Sequence, residues 1–225
     1  MTTARRLSVV VACAVLAATG CSSDTEDPPP ESDAPVVQLG APGESNETLS
    51  SEEVEELDEP EHTAADVMFV QMMIPHHQQA LEMTAMVEER TASKRLPLLA
   101  ERIEVSQTDE IAQLETWLAD RGEPVSGDHS HHGDHGGDGG HAGLMPGMLT
   151  QAELATLRAA DGRRFDRLFL QYMIRHHEGA VGMVEDLFAE GGGQESQVFQ
   201  LASGIESDQL VEISRMEQML VDGSY

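Results

Sequence analysis

Cysteine and positive charge are both scarce in this chain of 225 residues. It has two cysteines, and 13 Lys and Arg stand against 41 Asp and Glu, a formal charge of −28. Aromatic residues make up only 4%. Each shortage closes off a class of function. Without a basic face the chain has nothing to neutralise a phosphate backbone, so nucleic acid is excluded as a partner. No apolar run reaches the roughly 18 residues that a membrane-spanning helix needs. Cys13 lies within the apolar part of an export signal and is removed with it. That leaves Cys21 alone, which excludes disulfides, a Cys-ligated zinc site and a cysteine nucleophile. A Ser/His/Asp set, a phosphate loop and His-Glu-x-x-His are also missing. Present in excess are methionine, 12 residues, and histidine, 10 residues. Apolar residues, 40% of the total, suffice for one ordinary domain or two small ones.

Residues 1–21 read as an address. Arg5 and Arg6 precede an apolar stretch, Leu7 to Ala18, which is too short to cross a bilayer. The run Ala18-Thr19-Gly20-Cys21 is similar to a bacterial lipobox, so lipidation of Cys21 and anchoring on the extracytoplasmic side of the cell membrane are expected. Cleavage of an ordinary signal peptide nearby is the alternative. Residues 22–61 hold 14 Asp or Glu, no Lys or Arg, and Pro28-Pro29-Pro30. Such a segment cannot bury enough apolar surface to offset its ordering entropy, which predicts a disordered acidic tether with a reach of about 35 Å.

From residue 62 the chain takes a helical period and repeats itself. Phe69-Val70-Gln71-Met72-Met73-Ile74-Pro75-His76-His77 returns as Phe169-Leu170-Gln171-Tyr172-Met173-Ile174-Arg175-His176-His177. Ile103-Glu104, Gln107, Glu110-Ile111 and Glu115 return as Ile205-Glu206, Gln209, Glu212-Ile213 and Glu217. Each copy reads as an αα-hairpin with an apolar face that it cannot bury alone. Two such hairpins, repeat one at 62–122 and repeat two at 161–222, predict an all-α, up-down four-helix bundle with a pseudo-twofold axis. The expected helices are 64–90, 96–121, 162–190 and 195–222, with a kink at Pro75. Thr150 and Glu153 form a capping box for a further short helix near 150–160. Between the repeats, residues 126–148 are too rich in glycine for a stable element and predict a mobile His-rich loop.

At 100° per residue, Val70, Met73, Ile74, His77 and Ala80 share one face of the first helix, with His76 on its flank. Leu170, Met173, Ile174, His177 and Ala180 do the same in the third. On the partner helices Gln107 and Glu110, and Gln209 and Glu212, fall in the apolar stripe. A buried carboxylate needs a cation, a proton or several donors. Folding each hairpin brings Glu110 level with His76, and Glu212 within about a turn of His176. The candidate metal ligands are therefore Met73, His76, His77, Glu110, Met173, His176, His177 and Glu212. The alternative is a structural His–Glu network. Met83, Met183, Met216 and Met219 read as core. Asp66 and Asp166 lie near helix starts, where a carboxylate favours the helix dipole. His129, His131, His132, His135 and His141 form a candidate auxiliary metal site. Imidazole suits copper, zinc and iron, and thioether shifts the balance toward Cu(I).

The doubled pattern Phe-x-x-Met-Ile-x-His-His-x-x-Ala, with its later Glu-Ile helix, resembles the bacterial family called domain of unknown function 305 (DUF305). The resemblance covers about residues 62–221. It implies a ferritin-like helical bundle in secreted or lipid-anchored proteins, some of them similar to periplasmic copper-binding proteins. Carried onto this chain, it points to Met73, His76, His77, Met173, His176 and His177. The tether and the His-rich loop depart from it. The function expected is an extracytoplasmic lipoprotein that sequesters or delivers copper. The rivals are a di-metal oxidase on the same bundle and a structural or partner-binding bundle without metal. Neither hairpin has Glu-x-x-His in the place a di-iron centre needs, which weakens the oxidase reading.

Overall fold

In the computed structural model the described residues are 36–38, 47–50, 60–125 and 144–225. The expected export signal, Cys21 and the five histidines between 129 and 141 lie outside them. The chain divides into two units, Met1–Leu57 and Asp58–Tyr225. In the first unit β1 (Val36–Gln38) pairs antiparallel with β2 (Glu47–Leu49), Val37 opposite Thr48. This ladder lies within the span expected to be a tether without structure. Its cause is local: Val36-Val37 and Thr48-Leu49 are strand formers. The rest of 22–59, Ser50 excepted, lies outside the described residues.

The second unit contains α1 (Ala64–Thr84), α2 (Val87–Arg90), α3 (Leu96–Asp120), α4 (Gln151–Arg158), α5 (Gly162–Ala189) and α6 (Ser196–Asp222). α1 packs on α3 and α5 on α6, and the two hairpins join through α1 with α5 and α3 with α6. The four-helix bundle of two repeated αα-hairpins is thus observed. The capping box of Thr150 and Glu153 starts α4 as expected. The expected helix 64–90 is not continuous. It runs through Pro75 as one element and breaks at Ala85–Met86 instead. There the Met86 N–H turns back to the Met83 carbonyl, and the Thr84 hydroxyl donates to the Leu81 carbonyl. This tightens the last turn and ends the helix.

Asp66 and Asp166 lock the two hairpins together end to end. Asp66, fully buried, closes a capping box with Thr63 and accepts from the Gly193 N–H at 2.6 Å, in the other hairpin's turn. Gly192 beside it has no room for a side chain, since a Cβ would lie 2.8 Å from Asp66 Oδ1. Asp166 accepts from the Thr91 hydroxyl at 2.5 Å, in the turn of the first hairpin. Both carboxylates are therefore structural groups, and Asp66 also plays the expected helix-start role. Asp66→Ala is expected to destabilise the bundle by about 2–3 kcal/mol in urea unfolding, through the lost cap and the lost link to Gly193.

The core is in two parts. One apolar cluster holds Ala80 and Met83 of α1, Leu96 to Ile103 of α3, Phe165 to Met173 of α5, and Met216 and Met219 of α6. The other holds Phe69 to Ile74 of α1, Leu114 to Leu118 of α3, Ala180 to Leu187 of α5, and Val198 to Ile205 of α6. On every long helix the residues between the clusters are the polar ones: His76 and His77, Gln107 and Glu110, His176 and His177, Gln209 and Glu212. The bundle therefore has a buried polar layer at mid-height, with an apolar cluster on each side.

Candidate metal centre

The layer is built twice by the same local rule. A His-His pair on a helix sends one ring toward the neighbouring hairpin and the other toward its own partner helix. His76 and His176 meet across the α1/α5 seam, ring centroids 3.9 Å apart and tilted by 39°. His77 turns to α3, where its Nε2 lies 2.7 Å from Glu110 Oε2. His177 turns to α6, where its Nε2 lies 2.7 Å from Glu212 Oε2. The His177 contact is a well-aligned hydrogen bond, while that of His77 has the distance without the alignment. All four histidines are 0% exposed, and Glu110 and Glu212 only 8% and 9%.

Burial decides the charge of the central pair. It holds His76 at about 3, helped by the neighbouring His77 and opposed by the Pro146 carbonyl. It drives His176 well below the ordinary imidazole value, helped by His76, His177 and His77. Both rings are neutral near pH 7, as a metal ligand must be. The partners then assign the tautomers. His76 Nε2 donates to the Pro146 carbonyl at 2.9 Å, since a carbonyl can only accept. The carboxylates likewise face the Nε2 atoms of His77 and His177. The Nδ1 atoms of His76, His77, His176 and His177 are buried and without a partner, and so is His176 Nε2. Gln107 and Gln209, fully buried in the same layer, leave both polar atoms of their amides without partners. Orphaned polar groups at this density are costly, about 1–3 kcal/mol each.

Glu110 and Glu212 stand directly on imidazole nitrogens, at 2.7 Å, so in this arrangement each carboxylate backs a histidine. Met73 and Met173 are not brought together. Met73 lies in one apolar cluster and Met173 in the other, on opposite sides of the layer. Met83, Met183, Met216 and Met219 are core residues, as expected. Among the described residues, no three His, Cys, Asp or Glu side chains converge on one point as they stand.

A strap that the sequence reading missed covers the α1/α5 seam. Residues 145–149 were expected to belong to, or directly follow, a mobile loop. They pack on the bundle instead. Besides Pro146 on His76, the Gln79 amide donates to the Leu149 carbonyl at 3.0 Å and accepts from its N–H at 2.6 Å. Gly147, with φ +74°, lies against α5, where a Cβ would come within 2.4 Å of the Arg175 carbonyl oxygen. The available signals were the Pro146-Gly147 dipeptide, which marks a turn, and Gly179 standing where repeat one has Gln79.

Fold and layer together define a four-helix bundle with twin His-His motifs buried at its waist. Residues 66–220 match the DUF305 family, domain of unknown function, and the chain belongs to that family. Among solved structures it is similar to a DUF305 fragment from Deinococcus radiodurans, with 34% identity, 72% of this chain and 99% of that chain covered, and a TM-score of 0.61. A DUF305 protein from Streptomyces coelicolor, described as secreted, shares 30% identity over 70% of this chain and 93% of that chain, with a TM-score of 0.60. CopM in its Cu(II)-bound form shares 30% identity over 70% of this chain and 96% of that chain, with a TM-score of 0.56. CopM is also known in Cu(I)-bound and Ag-bound forms. No curated protein matches the chain. Among the described residues no helix is long and apolar enough to cross a membrane.

Proposed function

We propose that the histidine layer binds copper, and that the protein sequesters or delivers the metal outside the cytoplasm. The observation that carries this reading is the set of buried, unpartnered Nδ1 atoms on His76, His77, His176 and His177. Three of these rings are backed at Nε2 by a carboxylate or a carbonyl, the arrangement that orients an imidazole and raises its basicity toward a metal. Glu110 and Glu212 serve as those backing groups. Met73 and Met173, each within one turn of a His pair, offer a thioether from either side, which favours Cu(I) over zinc or iron. The copper- and silver-bound forms of CopM support the same reading. Loading is accompanied by movement of the imidazole rings, because no three of the His and Glu side chains yet point at one place.

The test separates the layer from the His-rich segment. The full chain and a variant with His129, His131, His132, His135 and His141 changed to alanine are purified from copper-supplemented medium and their metal measured. The variant is expected to keep tightly bound copper. A variant empty of metal beside a loaded parent would move the site from the bundle to the segment.

The run ending at Cys21 supports a lipid anchor for the same protein, and the secreted relative supports a place outside the cytoplasm. Cys21→Ser is expected to shift the exported protein from the membrane fraction to the soluble one. Unchanged membrane retention would remove the anchor.

A further inference from the structure

We propose that the Met145–Leu149 strap positions and gates the histidine layer: its Pro146 carbonyl fixes His76 in the Nε2–H form, and its backbone closes the α1/α5 seam over the His76–His176 pair. This rests on the reading of the layer as a metal site. The two copies of the motif are equal in sequence but unequal in the structure, and the strap is the reason. His76 Nε2 is tied at 2.9 Å to Pro146, so Nδ1 is its free nitrogen. His176, its counterpart, receives no carbonyl from the strap: neither nitrogen makes a well-aligned hydrogen bond, and the backbone of His76 lies beside the ring. An ion reaching the pair meets one preset donor and one free to choose.

The attachment of the strap is also unequal. On α1 it is held by three hydrogen bonds: the Gln79 amide donates to the Leu149 carbonyl and accepts from its N–H, and His76 donates to Pro146. On α5 it is held by close backbone packing, which needs glycine on both sides. A Cβ on Gly179 would lie 2.1 Å from the Pro146 oxygen, and one on Gly147 would lie 2.9 Å from Gly179 Cα. The strap therefore rests on α5 and is clamped on α1; Leu149 is seated in one apolar cluster and Met145 packs against the other, so its ends are anchored and Pro146–Met148 is the part that lifts to uncover the pair. Its far end is steadied by the cap of α4 and by Arg175 NH1 donating to Glu153 Oε1 at 2.6 Å. The competing route runs past Glu110 and Glu212, the only layer groups named here that keep any exposure beside the histidines.

Two substitutions loosen the strap without touching a proposed ligand. Gln79→Ala removes both clamps on Leu149, and Gly179→Ala pushes Pro146 off the helix. They are made in the full chain with the five histidines from His129 to His141 changed to alanine, so that only the layer is read. Cuprous ion is delivered from a chromophoric chelator, and its loading and release are followed by stopped flow. Both variants are expected to load about tenfold faster and to release faster still, so that affinity falls about tenfold as His76 loses its backing carbonyl. The Nε2–H resonance of His76, protected in the parent, should exchange rapidly in both. Gln79→Ala adds no volume and decides the matter if Gly179→Ala fails to fold. Unchanged rates and an unchanged Nε2–H signal in a folded Gln79→Ala protein would overturn the proposal and favour the carboxylate route. Faster release with unchanged loading would overturn the gate, since the strap would then only stabilise the site. A parent that takes up no cuprous ion would defeat the copper reading instead. The Nε2–H measurement needs no metal and would still decide the positioning role.

Discussion

Changing His76 and His77 together to alanine should weaken tight copper binding by the bundle at least about a hundredfold, and so should the pair His176→Ala with His177→Ala. Each change is expected to remove all of the tightly held metal, because the geometry gathers both pairs into one layer. His76 and His176 are in ring contact at 3.9 Å, and no apolar side chain separates the copies. Two independent sites would instead lose half each. Glu110→Gln should cost about 10- to 100-fold in affinity while the bundle stays folded. The amide keeps the shape beside His77 Nε2, but the charge that makes the ring a stronger donor is gone. Without metal the stability of this variant should be unchanged or slightly higher, since a nearly buried carboxylate is costly. A purely structural His–Glu network requires the opposite pattern, lost stability and unchanged metal content. Titration with a competing chelator and thermal unfolding of the same samples measure both quantities.

Most of this geometry was readable from periodicity. The doubled His-His motif, the helix starts near 96, 162 and 196 and the capping box of Thr150 and Glu153 are local patterns, and local patterns survive folding. Hairpin closure put Glu110 level with His76 and Glu212 within about a turn of His176; in the structure the carboxylates face the next residues, His77 and His177. The features missed depend on contacts that no period encodes. The strap reaches His76 from 70 residues away, through a backbone carbonyl that carries no side-chain signal. The separation of Met73 from Met173 follows from the antiparallel run of α1 and α5. Residues that precede the His pair on each helix point toward opposite ends of the bundle. Equal sequence copies thus place equal residues on opposite sides of the pseudo-twofold axis. The role of Glu110 and Glu212 lies beyond periodicity for a related reason. Spacing shows that a carboxylate is near a histidine, but only a distance tells a ligand from a backing group.

The metal-free bundle should lose stability steeply on mild acidification, from near pH 6.5 downward. Burial lowers the folded-state value of His76 to about 3, and that of His176 falls well below the ordinary 6.5 as well. The unfolded chain binds these protons near 6.5, whereas the folded chain resists them. Unfolding therefore takes up protons throughout the interval, and stability falls as pH falls. His76 alone contributes a slope of about 1.4 kcal/mol per pH unit, or about 4–5 kcal/mol by the time its folded value is reached. Above pH 6.5 the contribution is fully present and flat. Glu153, held at about 2 partly by Arg175, and Glu195, lowered partly by Trp117 and Arg121, add a further loss only below the ordinary carboxylate value of 4.5. The window between 6.5 and 4.5 thus isolates the histidines. In that window His76→Leu should flatten the dependence of urea midpoints on pH, because the side chain that must be protonated is gone. An equal slope in the variant would assign the acid sensitivity elsewhere. Copper added to the parent should shift the loss to lower pH, because an ion on neutral imidazole competes with the proton and stabilises only the folded state.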